Sequence, residues 1–99
     1  MNYDKYIKEC VEEVSKLKKE IHMMRTSIGT LERTMQTREI FSDKERFKLK
    51  EAIDVLTKAI EFNLYLIEEW QKREKEFQKK KEKAEEIRQL ARELLARKH

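Results

Sequence analysis

The chain has 99 residues, of which 44% are charged, with one Gly, no Pro and a net charge of +4. This length allows one domain at most, and the shortage of turn residues argues against a compact globule. Abundant Lys, Glu, Arg, Leu and Ile are instead typical of long helices and coiled coils. We therefore predict an all-α protein, since no segment has the alternating pattern of a strand.

The apolar runs are too short for a membrane span. The longest uncharged runs, 26–31 and 62–67, are six residues each, whereas about 20 apolar residues are needed to cross a bilayer. The first ten residues carry charge where a secretion signal needs an apolar stretch. A lone Cys10 cannot form an internal disulfide. Together these three points predict a reducing, cytoplasmic setting, and we expect no membrane partner.

Residues 3 to 38 are expected to form one helix. Apolar side chains recur here at alternating spacings of three and four residues, from Tyr3 and Ile7 to Met35. Such a repeat predicts a helix with a continuous apolar seam. Gly29 and the neighbouring Ser and Thr residues lower the local helix propensity, so we expect at most a kink there.

The segment REIFSDKERF, residues 38–47, marks the start of a second helix. Ser42 followed by Glu45 has the form of a capping box, in which the hydroxyl accepts from a free amide and the Glu reaches back to the Ser amide. Asp43 adds negative charge at the positive end of the helix dipole. We predict a turn at about 39–42 and a helix over about 43–97. One unbroken helix with Ser42 on its surface is the alternative.

Folding the chain back near residue 41 pairs positions whose numbers sum to about 84. Large side chains then meet small ones, as close packing requires: Trp70 lies opposite Val14, and Ile7 meets Phe77. The sequence thus predicts a single domain, an antiparallel two-helix hairpin of the coiled-coil type. Helix 2 is longer than helix 1, and its residues 81–97 extend past the first helix as a basic amphipathic overhang.

The stretch AIEFNLYLIEEW, residues 59–70, is apolar on nearly every side of a helix. A helix of this kind is normally buried on nearly every side, and a two-helix hairpin is marginal alone. We therefore expect a second copy to complete a helical bundle, most simply as a homodimer, although a different protein could supply the same cover. The predicted self-association interface comprises Phe62, Asn63, Tyr65, Leu66 and Trp70.

Asn63 occupies a core position in this stretch. A buried Asn in a helical seam pairs with a polar partner and fixes the register at some cost in stability. The alternative is that Asn63 lies at the edge of the seam with its side chain exposed to solvent.

The sequence offers no catalytic or metal-binding set, so neither an enzyme nor a cofactor is expected. Cys10, His22 and His99 are the candidate soft ligands, and the Glu-x-x-His motif of a di-iron bundle is absent. Cys10 is expected to be a small core residue with no histidine near it. One Gly cannot build a glycine-rich phosphate loop.

The excess positive charge lies in residues 72–99, which hold 11 Lys and Arg against 6 Glu. A fresh apolar stripe begins here, about one residue out of phase with the earlier seam. We predict a non-enzymatic scaffold or adaptor whose C-terminal helix docks on a protein partner; otherwise the stripe extends the oligomer's own coiled coil. The predicted partner-binding residues are Ile87, Arg88, Leu90, Arg92, Leu94 and Leu95.

The lysines before this stripe suggest an alternative function, a small basic regulator that binds nucleic acid or inhibits a nucleic-acid-processing complex, of the phage or mobile-element type. Six Glu residues are interleaved with the basic ones and weaken the field, so a solvated helix face is the simpler interpretation. Gel-shift binding to duplex DNA and RNA at two salt concentrations distinguishes the nucleic-acid-binding regulator from the protein-interaction module. The candidate nucleic-acid contacts are Lys72, Lys75, Lys79, Lys80 and Lys83.

Overall fold

The structure, a computed structural model, describes residues 2–37 and 41–97, and these form two α-helices. Helix α1 spans Tyr3–Thr37 and helix α2 spans Asp43–Arg97. Neither described range contains a strand, which confirms the all-α prediction. The helices pack side by side in opposite directions within a rod 87 Å long and 15 Å across, so the unbroken helix is wrong. No described helix is long and apolar enough to cross a membrane.

Asn2 caps the N-terminus of α1. The backbone amide of Lys5 donates a 3.3 Å hydrogen bond to Asn2 Oδ1. This bond satisfies one of the amides that the first turn of a helix leaves without an intrahelical acceptor. Asp4 places its charge in the same turn, at the positive end of the helix dipole. The sequence interpretation located the start of the helix but did not identify this cap.

Helix α1 continues without a break through Gly29. The threonines around this position turn their hydroxyls back onto the helix. Thr26, Thr30 and Thr34 each donate to the carbonyl oxygen four residues earlier, at 3.0, 3.1 and 2.9 Å respectively. Because these hydroxyls are satisfied within the helix, the weak propensity of the segment does not end it.

Ser42 caps the N-terminus of α2. Its Oγ accepts a 3.3 Å hydrogen bond from the amide of Glu45 and donates a 2.9 Å bond to Glu45 Oε1. The Ser42 carbonyl accepts the first helical hydrogen bond, from the amide of Arg46 at 3.0 Å. Capping by Ser42 is confirmed, but the Glu45 carboxylate accepts from the Ser42 hydroxyl and not from the Ser42 amide as predicted. Residue 38 and the first part of the predicted turn, 39 and 40, lie outside the described residues.

Replacing Ser42 with Ala should lower the free energy of unfolding by about 1 kcal/mol, because the Glu45 amide loses its acceptor. Urea unfolding followed by circular dichroism, at one fixed protein concentration, measures this loss. Ser15→Ala is the matched control, since Ser15 is exposed in the middle of α1. A loss no larger for Ser42→Ala than for Ser15→Ala would contradict the capping role.

The core is a row of side chains between the two helices. Each buried aliphatic side chain contributes about 1.5–3 kcal/mol, and chain entropy opposes most of this gain. Met24, Ile28, Leu66 and Trp70 pack against the row and remain half-buried. The buried side chains are Cys10, Val14, Leu17, Ile21, Ile60, Asn63 and Ile67.

Two contacts near the open end of the hairpin fix the register. Lys81 Nζ lies 2.7 Å from Asp4 Oδ1, and this hydrogen bond raises the pKa of the Lys81 ammonium. The rings of Tyr6 and Phe77 stack with their centroids 5.2 Å apart. Both pairs agree with the predicted sum of about 84. The stack of Tyr6 on Phe77 comes from the flank of the seam and was not predicted; the pairing of Ile7 with Phe77 stays a prediction.

The C-terminal end of α2 extends beyond α1. The first residues of α1 line a groove with α2 that reaches as far as Arg88. Ala84 is half-buried, and every residue from 85 to 97 is exposed. The exposed end is therefore about 20 Å long at 1.5 Å per residue. It begins about one turn later than predicted, because Asn2 and Tyr3 at the start of α1 still line a groove with Ala84.

Candidate functional site

The middle of α2 carries apolar surface that α1 does not cover. Phe62 and Tyr65 are 60% and 56% exposed, although buried core residues precede and follow them. Leu66 and Trp70 are half-buried and pack against the core with one part of their surface. Of the five residues predicted for self-association, these four keep apolar surface open to solvent.

Asn63, the fifth residue, is buried between the helices with 8% of its surface exposed. Its Nδ2 donates a 2.9 Å hydrogen bond to Glu20 Oε2. A buried amide without a partner would cost about 1–3 kcal/mol, so this bond favours the observed register of α1 and α2. The interpretation of Asn63 as a wet residue at the edge of the seam is wrong. Its role in self-association stays a prediction, and its amide is already paired within one chain.

Trp70 borders a surface groove with charged edges of both signs. The guanidinium carbon of Arg73 lies 4.8 Å from the centroid of the indole ring, a cation–π contact worth about 0.5–1 kcal/mol at an exposed site. Glu69 Oε1 lies 3.3 Å from Lys72 Nζ. The groove is lined by Tyr65, Leu66, Glu69, Trp70 and Arg73.

A second apolar stripe runs along α2 beside the core seam. Its members are separated alternately by three and four residues, the spacing of a face that packs against another helix. Val55 is 60% exposed, and we did not predict it as part of the interface. The same spacing is visible in the sequence once the core seam has been subtracted. The second stripe comprises Ala52, Val55, Ala59, Phe62 and Leu66.

The opposite long side of the hairpin is more polar. Gln71 lies five residues beyond Leu66, so the two side chains project about 140° apart around α2. Gln71 belongs to a groove between the helices whose lining is mostly polar. That lining comprises Val11, Val14, Ser15, Lys18, Gln71 and Glu74. Two apolar residues, Val11 and Val14, line this groove, against five in the second stripe.

A third apolar surface, the C-terminal stripe, lies on the exposed end of α2. Ile87, Leu90, Leu94 and Leu95 are all more than half exposed. Ile87, Leu90 and Leu94 continue the alternating spacing of three and four residues that defines the second stripe. The second stripe lies one residue from the core seam, and this explains why the C-terminal stripe is out of phase with that seam. The intervening positions of that alternation are all charged: Glu69, Arg73, Glu76, Lys80 and Lys83. Arg88 and Arg92 are exposed beside the C-terminal stripe.

The lysines proposed as nucleic-acid contacts are all exposed. Lys72 pairs with Glu69, and Lys80 Nζ lies 5.8 Å from the centroid of the Phe77 ring. Lys72, Lys75 and Lys79 lie on the face of α2 that points away from α1. Binding of nucleic acid by these residues stays a prediction.

The chemically reactive side chains are dispersed. Burial raises the pKa of the Cys10 thiol, and the nearby Glu74 carboxylate raises it further, so the nucleophilic thiolate is disfavoured. His22 is exposed on α1. Within residues 2–37 and 41–97, no group of three His, Cys, Asp or Glu side chains is arranged to hold a metal ion. His99 lies outside the described residues.

Comparison with known proteins identifies no relative of this chain. No family model, curated protein or solved structure matches it. Function is therefore inferred from the exposed faces of α2.

Proposed function

We propose that this chain is a non-enzymatic interaction module that self-associates through α2 and presents the C-terminal end of α2 to a protein partner. The observation that carries the proposal is the exposure of Phe62 and Val55 in the middle of a long helix. An apolar face of this length on a highly charged chain is typical of a protein–protein contact. The half-buried Leu66 and Trp70 extend the same surface towards the core.

The proposed assembly is a dimer of hairpins in which α2 of each copy lies inside a four-helix bundle. One hairpin has a short core and buries one side of each helix. A second hairpin packed on the second stripe gives α2 a second buried side. The resulting bundle removes from water the apolar area that drives association, at about 25 cal/mol per Å².

The C-terminal stripe is the proposed site for a different protein. It lies beyond the end of α1, so one chain leaves it uncovered. An amphipathic helix of this kind docks into an apolar groove or against another amphipathic helix. Arg88 and Arg92 beside the stripe favour a partner whose groove has an acidic rim.

A variant that carries both Leu90→Lys and Leu94→Lys tests whether the C-terminal stripe is separate from the self-association interface. We expect its molar mass by light scattering to equal that of the native chain, because the second stripe is intact. Fluorescence of the apolar dye anilinonaphthalene sulfonate, the probe for the exposed stripe, should fall by about half or more.

Gln89→Lys is the control for the position of an added positive charge, since Gln89 is exposed on the other side of the same turns; it adds one charge where the double variant adds two. It should leave both the mass and the dye fluorescence unchanged. A fall to the monomer mass in the double variant would instead make the C-terminal stripe part of the self-association interface.

A further inference from the structure

We infer that the second copy packs on the second stripe in the antiparallel direction, about a two-fold axis near Ala59. This inference rests on the proposed self-association through α2 and adds its orientation and register. It follows from the order of apolar and charged side chains along one face of α2. That face runs from Glu45 to Arg73, about 42 Å at 1.5 Å per residue.

The apolar part of this face is complementary to itself when reversed. An axis near Ala59 brings together positions whose numbers sum to about 117. Phe62 of one copy then lies beside Val55 of the other, and Leu66 lies beside Ala52. The small Ala59 faces its own counterpart at the centre, which permits a short distance between the helix axes. Large side chains therefore meet small ones, as close packing requires.

The charges that flank the second stripe are also complementary when reversed. The same axis places Lys48 of one copy beside Glu69 of the other and Glu45 beside Arg73. Symmetry makes each of these pairs twice. A parallel arrangement would instead place Lys48 against Lys48 and Glu69 against Glu69, with repulsion at both ends. Lys48 has no carboxylate partner in the part of the chain that the structure describes.

Two further side chains lie close to the proposed two-fold axis. Lys58 would approach its counterpart near the axis, and Asp54 Oδ2 lies 2.9 Å from its ammonium and offsets the repulsion. On α1, the register places residue 25 opposite Ala59. Met23, at that level, is 68% exposed, and the two-fold axis brings the Met23 side chains of the two copies to the same side of the bundle.

An antiparallel dimer has a consequence for the partner sites. The helix α2 of the second copy covers α2 from residue 43 to about 74 and stops short of the C-terminal stripe. The two C-terminal ends then project in opposite directions, about 115 Å apart at 1.5 Å per residue. Such a dimer would hold two partner molecules at the two ends of one rod.

A charge-exchange experiment on the full chain tests the register. Lys48→Glu alone should weaken dimerisation about tenfold, because two attractive pairs per dimer become repulsive. Glu69→Lys alone should do the same. The double variant Lys48→Glu, Glu69→Lys should return to within about twofold of the native dissociation constant. Sedimentation equilibrium at low salt measures these constants, and high salt should reduce the differences.

Lys50→Glu is the control, because it makes the same change of charge two residues away and off the second stripe. It should leave the dissociation constant unchanged. The native chain could be dimeric while the double variant shows the losses of affinity of both single variants added together. That result would overturn the antiparallel register and leave the proposed self-association standing. A native chain that stays monomeric would overturn both.

Discussion

A chain that carries Phe62→Glu is expected to be monomeric at concentrations where the native chain is a dimer. Phe62 is the largest side chain of the second stripe and is 60% exposed in one hairpin, so most of its ring is free to be buried by the second copy. Each dimer would lose two buried rings and gain two carboxylates in an apolar contact. We expect the dissociation constant to rise at least about 100-fold, measured by light scattering over a concentration series.

Phe47→Glu is the matched control for this variant. Phe47 is 66% exposed on the same helix, and it lies off the alternation that includes Lys48, Ala52 and Val55. The identical substitution there should leave the dimer intact. If both variants dissociate alike, or if Phe62→Glu leaves the mass unchanged with helicity retained, the interface lies elsewhere.

Replacement of Ile67 by Ala should cost about 2–5 kcal/mol of unfolding free energy, because it opens a cavity that the surrounding side chains fill only in part. Ile67 is 7% exposed and belongs to the core cluster with Leu17 and Ile60. A core of this size has few other contacts to compensate, so the hairpin should lose most of its stability. Urea unfolding at a fixed protein concentration measures the effect, since dimerisation also contributes to stability.

Leu64→Ala is the control for Ile67→Ala. It removes a side chain of equal size three residues away, from a position that is 43% exposed. The loss there should be small, within about 1 kcal/mol. Equal losses at Ile67 and Leu64 would mean that the two helices do not bury the face that the structure assigns to the core.

The sequence predicted the hairpin and its register because both depend on a regular repeat. Apolar spacing identified the buried face of each helix, and the capping pattern at Ser42 located the start of α2. Folding the chain back near residue 41 set the alignment, and the pairing of large with small side chains supported it. Contacts such as that between Lys81 and Asp4 agree with it, since a helix rises by a constant distance per residue.

Contacts made from the flanks of the seam were not predicted. The sequence analysis assigned no role to Glu20, yet its carboxylate accepts the hydrogen bond from Asn63. Tyr6 likewise reaches Phe77 from outside the seam. Periodicity gives the direction of a side chain from the helix axis and does not give its rotamer. Long side chains can therefore contact residues of the seam from positions that the repeat assigns to the surface.

The candidate interface was predicted in part. Phe62 and Tyr65 were recognised because they exceeded what one partner helix could cover. Val55 was missed because a single exposed valine carries little signal by itself. Its meaning depends on the alternation with Ala59 and Phe62, and this pattern becomes clear only after the core seam is assigned.

The direct test of self-association through α2 is the molar mass of the native chain in solution as a function of concentration. Light scattering coupled to size-exclusion chromatography should give a value that rises towards twice the chain mass of 12.2 kDa at tens of micromolar. A mass that stays at 12.2 kDa over that range would contradict the account. The second stripe would then be an open surface on a monomer.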